Sequence, residues 1–556
     1  MMMPAAVVFA AATTAAAAAA ALSPWRGDIA AVEGAGLAHG LACTPPTPMS
    51  IAAPNVMLIG DSISEGENGY SLFVQDMLTN SSGGTLVGSL QHGGGFGGGG
   101  QMASSNNGVA KVTACIGNAT GTLKRKAWSV ITYNAGLHDC DAGERVEPAA
   151  YTANLKAIFE TLKPAASAVV FVTTTPWPQN GPLNKTINCN NRTDLCMSCV
   201  REYNVIAKQV AKEVGAVVVD DLYEYVEDFC RVFPKDSDGD YSTCAVQSPK
   251  DNHTSLHFFN HAPNPSGQQY TGLLVAEAVI RLIPEAEIQN ATTGDAPSLT
   301  SGYDVGRPLV CGNAPAPLNK TLPNVLIIGD SIAEPGSGYG PGVEHILKQP
   351  RPGLSGYQTG PLASVQHNGA TGSNQAGPTT NGAACVKTWV GAEKWDVVTM
   401  NFGIHDCCPG GDGRPAGADV PLADYIKNLG IIYETASQAL APGGKIVWVT
   451  TTPVPTGMSV SSTCGISGAA FNTCVDDYSD AALKLLGLKP DVIVADLHNA
   501  VLDVCGAGYK TCNLQRWGDV HFTDAGKQFC AVVVAKNVAP LLAPKWVVLQ
   551  SNATSA

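Results

Sequence analysis

Three short blocks of this chain carry residues that could do nucleophilic chemistry. Ser331 sits in Asn324-Val-Leu-Ile-Ile-Gly-Asp-Ser-Ile332, His405 in Asn401-Phe-Gly-Ile-His-Asp-Cys407, and His521 in Asp519-Val-His-Phe-Thr523. A serine hydroxyl attacks a carbonyl carbon only when an imidazole takes its proton, and the imidazole needs an acceptor to hold its tautomer. Serine, histidine and aspartate are therefore the types for acyl transfer, provided the fold unites positions nearly two hundred residues apart.

The same blocks occur earlier in the chain, at a spacing of roughly 265 to 275 residues. Asn55-Val-Met-Leu-Ile-Gly-Asp-Ser-Ile63 carries Ser62, Asn134-Ala-Gly-Leu-His-Asp-Cys140 carries His138, and Val172-Thr-Thr-Thr-Pro176 matches Val449-Thr-Thr-Thr-Pro453. Order and spacing are both kept, which points to two tandem copies of one domain. Cysteines match as well: Cys43 with Cys311, Cys140 with Cys407, Cys199 with Cys474, Cys230 with Cys505 and Cys244 with Cys512.

The elements that must position these residues follow from apolar runs. Val325 to Ile328, Leu362 to Val365, Trp395 to Met400, Ile446 to Thr450 and Val492 to Ala495 read as strands, separated by segments of helical spacing near 422–440, 481–488 and 524–538. The first copy repeats the rhythm at Val56 to Ile59, Ser129 to Tyr133, Val169 to Val172 and Ala216 to Val219. Continuous apolar strands with helix-length connections predict a parallel sheet buried on both faces. In such a sheet ligands bind beyond the carboxyl ends of the strands, where the Gly-Asp-Ser, Gly-X-His-Asp and Thr-Thr-Thr-Pro turns all fall.

Gly-Asp-Ser-Ile after the first strand, Gly-X-His-Asp after a middle strand and Asp-Val-His-Phe-Thr before the last helix resemble the blocks of the SGNH/GDSL hydrolases, over nearly the whole chain after the leader. The resemblance implies two tandem flavodoxin-like three-layer α/β/α domains, each with a roughly five-stranded parallel sheet, and ester cleavage by a Ser-His-Asp triad without metal or cofactor. Ser331 would be the nucleophile, His521 the base and Asp519 the residue that orients it. That family usually places the acid three positions before the histidine; here Asp519 is two before and Gly518 holds the third. For the oxyanion the family supplies the serine N–H, a glycine and an asparagine. Gly377 looks like the glycine, and His405 stands in the place of the asparagine, where an imidazole N–H can donate the same bond. The first copy keeps Ser62, His138 and His257, but Ser255 matches Asp519 and Ala103 stands opposite Gly377, so its catalytic set is degenerate.

The 556 residues are 45% hydrophobic and 14% charged, a composition that can fill a core in each half. A formal net charge of -13 argues against nucleic acid or an anionic membrane as partner. Residues 1–22 are Ala-rich and free of Asp, Glu, Lys and Arg, which reads as a signal peptide, and no other stretch is apolar and long enough to span a bilayer. Seventeen cysteines and the Asn-X-Ser/Thr acceptors, among them Asn80, Asn118 and Asn319, fit a secreted, disulfide-bonded glycoprotein. Local staples are expected at Cys230 to Cys244, Cys505 to Cys512 and Cys464 to Cys474, with Cys189 or Cys196 joined to Cys199; the odd total leaves at least one thiol unpaired. Gly95 to Gly100 lacks the strand-to-helix setting of a dinucleotide site, and Asp236 to Asp240 lacks the closing glutamate of a calcium loop. The expected organisation is a first domain over 43–283, a Pro- and Ala-rich linker over 284–323 and a second domain over 324–545. The expected substrate is a small ester or an O-acylated glycan. Alternatives are a glycan-binding or surface protein on the same scaffold, and an acyltransferase using the same triad.

Overall fold

A computed structural model of the chain describes residues 53–61, 63–64, 69–79, 86–87, 89–93, 104–116, 128–140, 145–176, 193–215, 217–232, 267–288, 311–335, 338–348, 362–368, 377–407, 420–457, 466–516 and 520–542. All lie in the compact unit Ala42–Ala556. The expected signal peptide and the glycine run at 95–100 lie outside the described residues, as does the acidic loop at 236–240.

In the N-terminal half, strands β1 (Asn55–Ile59), β2 (Ser89–Gly93), β3 (Trp128–Asn134), β4 (Ala166–Val172) and β5 (Val217–Asp220) form a parallel sheet in the order β2-β1-β3-β4-β5. Every residue of β1 and β3 is buried, as strands covered on both faces require. The connections are α1 (Ser71–Thr79), α2 (Ser105–Ile116), α3 (Pro148–Leu162) and α4 (Thr193–Val214); α5 (Leu222–Val232) and α6 (Gly267–Ile280) follow β5. In the C-terminal half, β6 (Asn324–Gly329), β7 (Ser364–Asn368), β8 (Trp395–Asn401), β9 (Leu440–Val449) and β10 (Val492–Ala495) pair in parallel in the corresponding order β7-β6-β8-β9-β10. Helices α7 (Gly340–Lys348), α8 (Thr379–Val390), α9 (Leu422–Gln438), α10 (Gly468–Leu486), α11 (Leu497–Cys505) and α12 (Asp524–Val538) cover it. The fold is thus two α/β/α sandwiches, as expected. Helix α10 begins well before the expected 481, because Ser467 accepts the Ala470 N–H as N-cap at 3.2 Å and Phe471 and Val475 add an apolar face.

Helices α6 and α12 pack on each other between the sheets. From Gln528 to Ala535 every side chain of α12 is buried, which suits a helix with protein on all sides. Its one buried amide there, Gln528, accepts the Leu86 N–H at 3.1 Å and donates to the Met77 carbonyl. Lys536 reaches Glu277 of α6 at 2.9 Å, and Arg281 reaches Asp503 at 2.7 Å. Of the segment 284–323, the described parts are fixed by specific bonds: the Trp389 indole N–H donates to the Cys311 carbonyl at 2.7 Å, and Ala316 and Gln366 exchange two bonds at 2.9 and 3.0 Å.

Disulfides join Cys140 to Cys199, Cys311 to Cys385, Cys407 to Cys474 and Cys505 to Cys512. The last is the expected local staple. Two other expectations are corrected, since Cys474 pairs with Cys407 rather than Cys464, and Cys199 with Cys140 rather than Cys189 or Cys196. The reason is topological: parallel strands bring the loop after the third strand of each sheet against the helix that follows the fourth, and that proximity overrides nearness in sequence. Cys230 and Cys244 have no described side chains, and Cys530 is a buried free thiol. Among the described residues, no helix is long and apolar enough to cross a membrane.

Candidate active site

Strand β6 ends at Gly329, and the chain turns at once. The Asp330 carboxylate accepts the Ile332 N–H at 2.9 Å, while its carbonyl accepts the N–H groups of Ala333 and Glu334 at 3.0 Å each. This tight turn lifts Ser331 onto the carboxyl rim of the sheet, where it is 7% exposed. Burial raises the pKa of Asp330, and the His405 charge works against that rise.

His521 arrives from the opposite end of the domain on a short hairpin. The hairpin closes through an antiparallel bridge between Gln515 and Phe522, with Arg516 N–H donating to the His521 carbonyl at 2.9 Å. Thr523 then caps α12, its hydroxyl accepting the Gly526 N–H at 3.1 Å. His521 Nε2 lies 2.8 Å from Ser331 Oγ, across 190 positions of sequence. In the tautomer protonated on Nδ1, the serine hydroxyl donates to a bare Nε2, the arrangement from which imidazole takes the proton as the oxygen attacks. Asp519 lies outside the described residues.

A second arm of the site comes from β8 and α8. Asn401 ends β8 and donates to the Val449 carbonyl at 3.0 Å. Two residues on, Gly403 has φ +136, and a Cβ there would collide with Thr451 Oγ1. That glycine lets the chain hug the Thr-Thr-Thr-Pro turn, and half-buried His405 follows. The next residue, Asp406, is fully buried and binds the start of α8: it accepts the Thr379 N–H at 3.0 and 3.1 Å and its hydroxyl at 2.5 Å. Gly377 stands two residues before Thr379 with φ +53, a left-handed conformation that favours glycine. Asp406 thus ties the strand-end carrying His405 to the turn carrying Gly377. Motif spacing alone does not assign Asp406 to the site; the repeated His-Asp pair and the hydroxyl at both Ser105 and Thr379 are the marks it leaves in the sequence.

The N-terminal half has the same scaffold. Asp61 accepts the Ile63 N–H at 2.9 Å, and Asp139 accepts the Ser105 N–H at 2.9 and 3.1 Å and its hydroxyl at 2.6 Å. Burial pushes the Asp139 carboxyl up to about 6, against the pull of the Ser105 bonds. His138 is half-buried beside it. Ser62 and His257 lie outside the described residues, with Ala103 and Ser255. Among the described residues, no cluster of three or more His, Cys, Asp or Glu could hold a metal ion.

Residues 327–529 match the model of the GDSL-like lipase/acylhydrolase family, a span that holds Ser331, Gly377, His405 and His521. No curated protein matches the chain significantly. Among solved structures, an acetylxylan esterase from Geobacillus stearothermophilus is 17% identical, with a TM-score of 0.28, covering 42% of this chain and 96% of its own. A lipase/acylhydrolase from Enterococcus faecalis is 15% identical over 41% of this chain and 95% of its own, with a TM-score of 0.26. An alpha/beta hydrolase enzyme from the metagenome of Lake Arreo, Spain, is 15% identical over the same shares, 41% and 95%, with a TM-score of 0.27.

Proposed function

We propose that the protein is a secreted serine carboxylic-ester hydrolase whose working site lies in the C-terminal half and removes small O-acyl groups, acetyl above all, from carbohydrate. The observation that carries this reading is the 2.8 Å approach of His521 Nε2 to Ser331 Oγ on the rim of a GDSL-like domain. Ser331 Oγ attacks the acyl carbon as His521 takes its proton. The tetrahedral oxyanion is held by the Ser331 and Gly377 N–H groups and the His405 ring. His521 then protonates the departing alcohol, and a water activated by the same ring releases the acid and frees the serine. Asp519 is assigned the orientation of His521. No step calls for a metal or cofactor.

The disulfides support an extracytoplasmic setting. The shared strand order of the two sheets supports a tandem duplication. In that reading the first copy, with Ser255 opposite Asp519, keeps the scaffold with a weakened site.

Hydrolysis of p-nitrophenyl acetate and an acetylated polysaccharide by wild type, Ser62→Ala and Ser331→Ala tests the proposal. Turnover should vanish in Ser331→Ala and largely survive in Ser62→Ala. Full turnover in Ser331→Ala would overturn the assignment, and a wild type neither turning over nor labelled by a serine-directed phosphonate would favour a glycan-binding protein.

A further inference from the structure

The hairpin that presents His521 does not stand on the C-terminal half alone. Its two feet are Asn513 and Thr523, joined by the Thr523 hydroxyl donating to the Asn513 carbonyl at 2.9 Å and the Thr523 N–H donating to the Leu514 carbonyl at 2.8 Å. Behind it, Gln515 and the Tyr509 hydroxyl both donate to the Pro453 carbonyl, at 2.7 and 3.1 Å. Asn513 itself is held from the other half of the molecule. Its N–H donates to Glu285 Oε1 at 2.5 Å, and its side-chain amide donates to the carbonyls of Glu285 and Ile288 at 3.1 and 2.9 Å. Residues 285–288 open the segment expected as a linker, but they form a short turn that belongs to the N-terminal half, stapled to its sheet where Glu287 accepts the Ser129 hydroxyl.

We propose that this turn is a positioning brace for His521: the N-terminal half fixes, through Glu285 and Asn513, the hairpin that sets the imidazole against Ser331. Three hydrogen bonds converge on one asparagine, and the Thr523 bond passes that restraint to the residue two positions beyond the histidine. A catalytic base displaced by about 1 Å can lose on the order of a hundredfold in rate, so a brace eight positions from the ring can govern turnover without touching substrate. The first copy then has a use that does not depend on its own Ser62. The proposal rests on the esterase reading of Ser331 and His521.

The test compares full-length wild type with Asn513→Ala, Glu285→Ala and Glu285→Gln. On p-nitrophenyl acetate, kcat should fall roughly 10- to 100-fold in both alanine variants. KM should change less than about twofold, and Glu285→Gln, which keeps the acceptor oxygen, should stay near wild type. Wild-type kcat in both alanine variants, or a loss in Glu285→Gln as large as in Glu285→Ala, would overturn the brace. If Asn513→Ala fails to fold, Glu285→Ala still decides, because it leaves both side-chain bonds of Asn513 in place. Nitrogen chemical shifts of the His521 ring read the brace without turnover: they should move in the alanine variants and hold in Glu285→Gln. A wild type that cleaves no ester would defeat the esterase reading, and the ring shifts would then decide the brace alone, unmoved resonances in both alanine variants ruling it out.

Discussion

Asp406 and Thr379 form the joint between the two arms of the C-terminal site. A fully buried carboxylate there accepts both the backbone N–H and the hydroxyl of the first residue of α8. A carboxylate at a helix N-terminus satisfies donors that have no partner inside the helix and favours the positive end of its dipole. Because His405 precedes Asp406 and Gly377 precedes Thr379 by two, the joint sets the spacing between the two proposed oxyanion donors. Asp406→Ala should cost about 1–3 kcal/mol of stability through the orphaned Thr379 groups, and lower kcat for p-nitrophenyl acetate more than it raises KM. Chemical denaturation and steady-state kinetics on one preparation measure both; an unchanged kcat would separate the joint from the chemistry.

His405 is proposed to donate to the oxyanion from a place where related blocks carry asparagine. The proposal predicts a hierarchy that a structural histidine would not show. His405→Asn should keep most of the activity, since an amide N–H can serve, whereas His405→Ala should lose on the order of 10²–10³ in kcat. Equal activity in the two variants would remove His405 from the mechanism.

The central strands were legible because each is a short continuous apolar run, and β6, β8 and β10 overlap their expected positions closely; β9, expected from Ile446, begins at Leu440, which pairs with Trp395 ahead of a register shift, and the polar β2 had no apolar run to announce it. Strand β7, expected at Leu362, begins at Ser364, because only residues from there on pair with Asn324–Ile328. The approach of His521 to Ser331 follows from both motifs lying on the carboxyl rim. Less was legible where pairing depends on topology. Nothing local in Cys407 or Cys474 names the other, and the residues that hold Asn513 lie 225 and 228 positions away. The all-round apolar character of α12 was a readable sign of a helix sandwiched between halves, but it does not name the helix on its other side.

The Cys407–Cys474 bond spans 67 positions and ties the segment after His405 to α10. A crosslink of that reach stabilises by restricting the unfolded chain, and its removal typically costs about 2–4 kcal/mol. Paired Cys407→Ser and Cys474→Ser substitutions should therefore lower the denaturation midpoint, with activity per folded molecule less affected than stability. A midpoint equal to wild type would show that the bond does not form in solution.

Asp220, at the end of β5, carries a buried Oδ2 with no hydrogen-bond partner among the described residues. Desolvation by burial, with Glu277 nearby adding to it and Lys536 opposing, pushes its carboxyl up to about 7 from an ordinary value of 3.8. Between those values the folded protein binds more protons than the unfolded chain, so this group's contribution falls as pH rises, and the penalty is fully developed above about 7. The corresponding residue of the second half is Ala495, which carries no such charge. Asp220→Ala should therefore gain stability at pH 8, by up to about 4 kcal/mol, and gain little at pH 4. Thermal unfolding of both proteins across that range checks it: a wild type whose Tm does not decline from pH 4 to 8 relative to Asp220→Ala would show that the carboxylate is solvated or paired in solution.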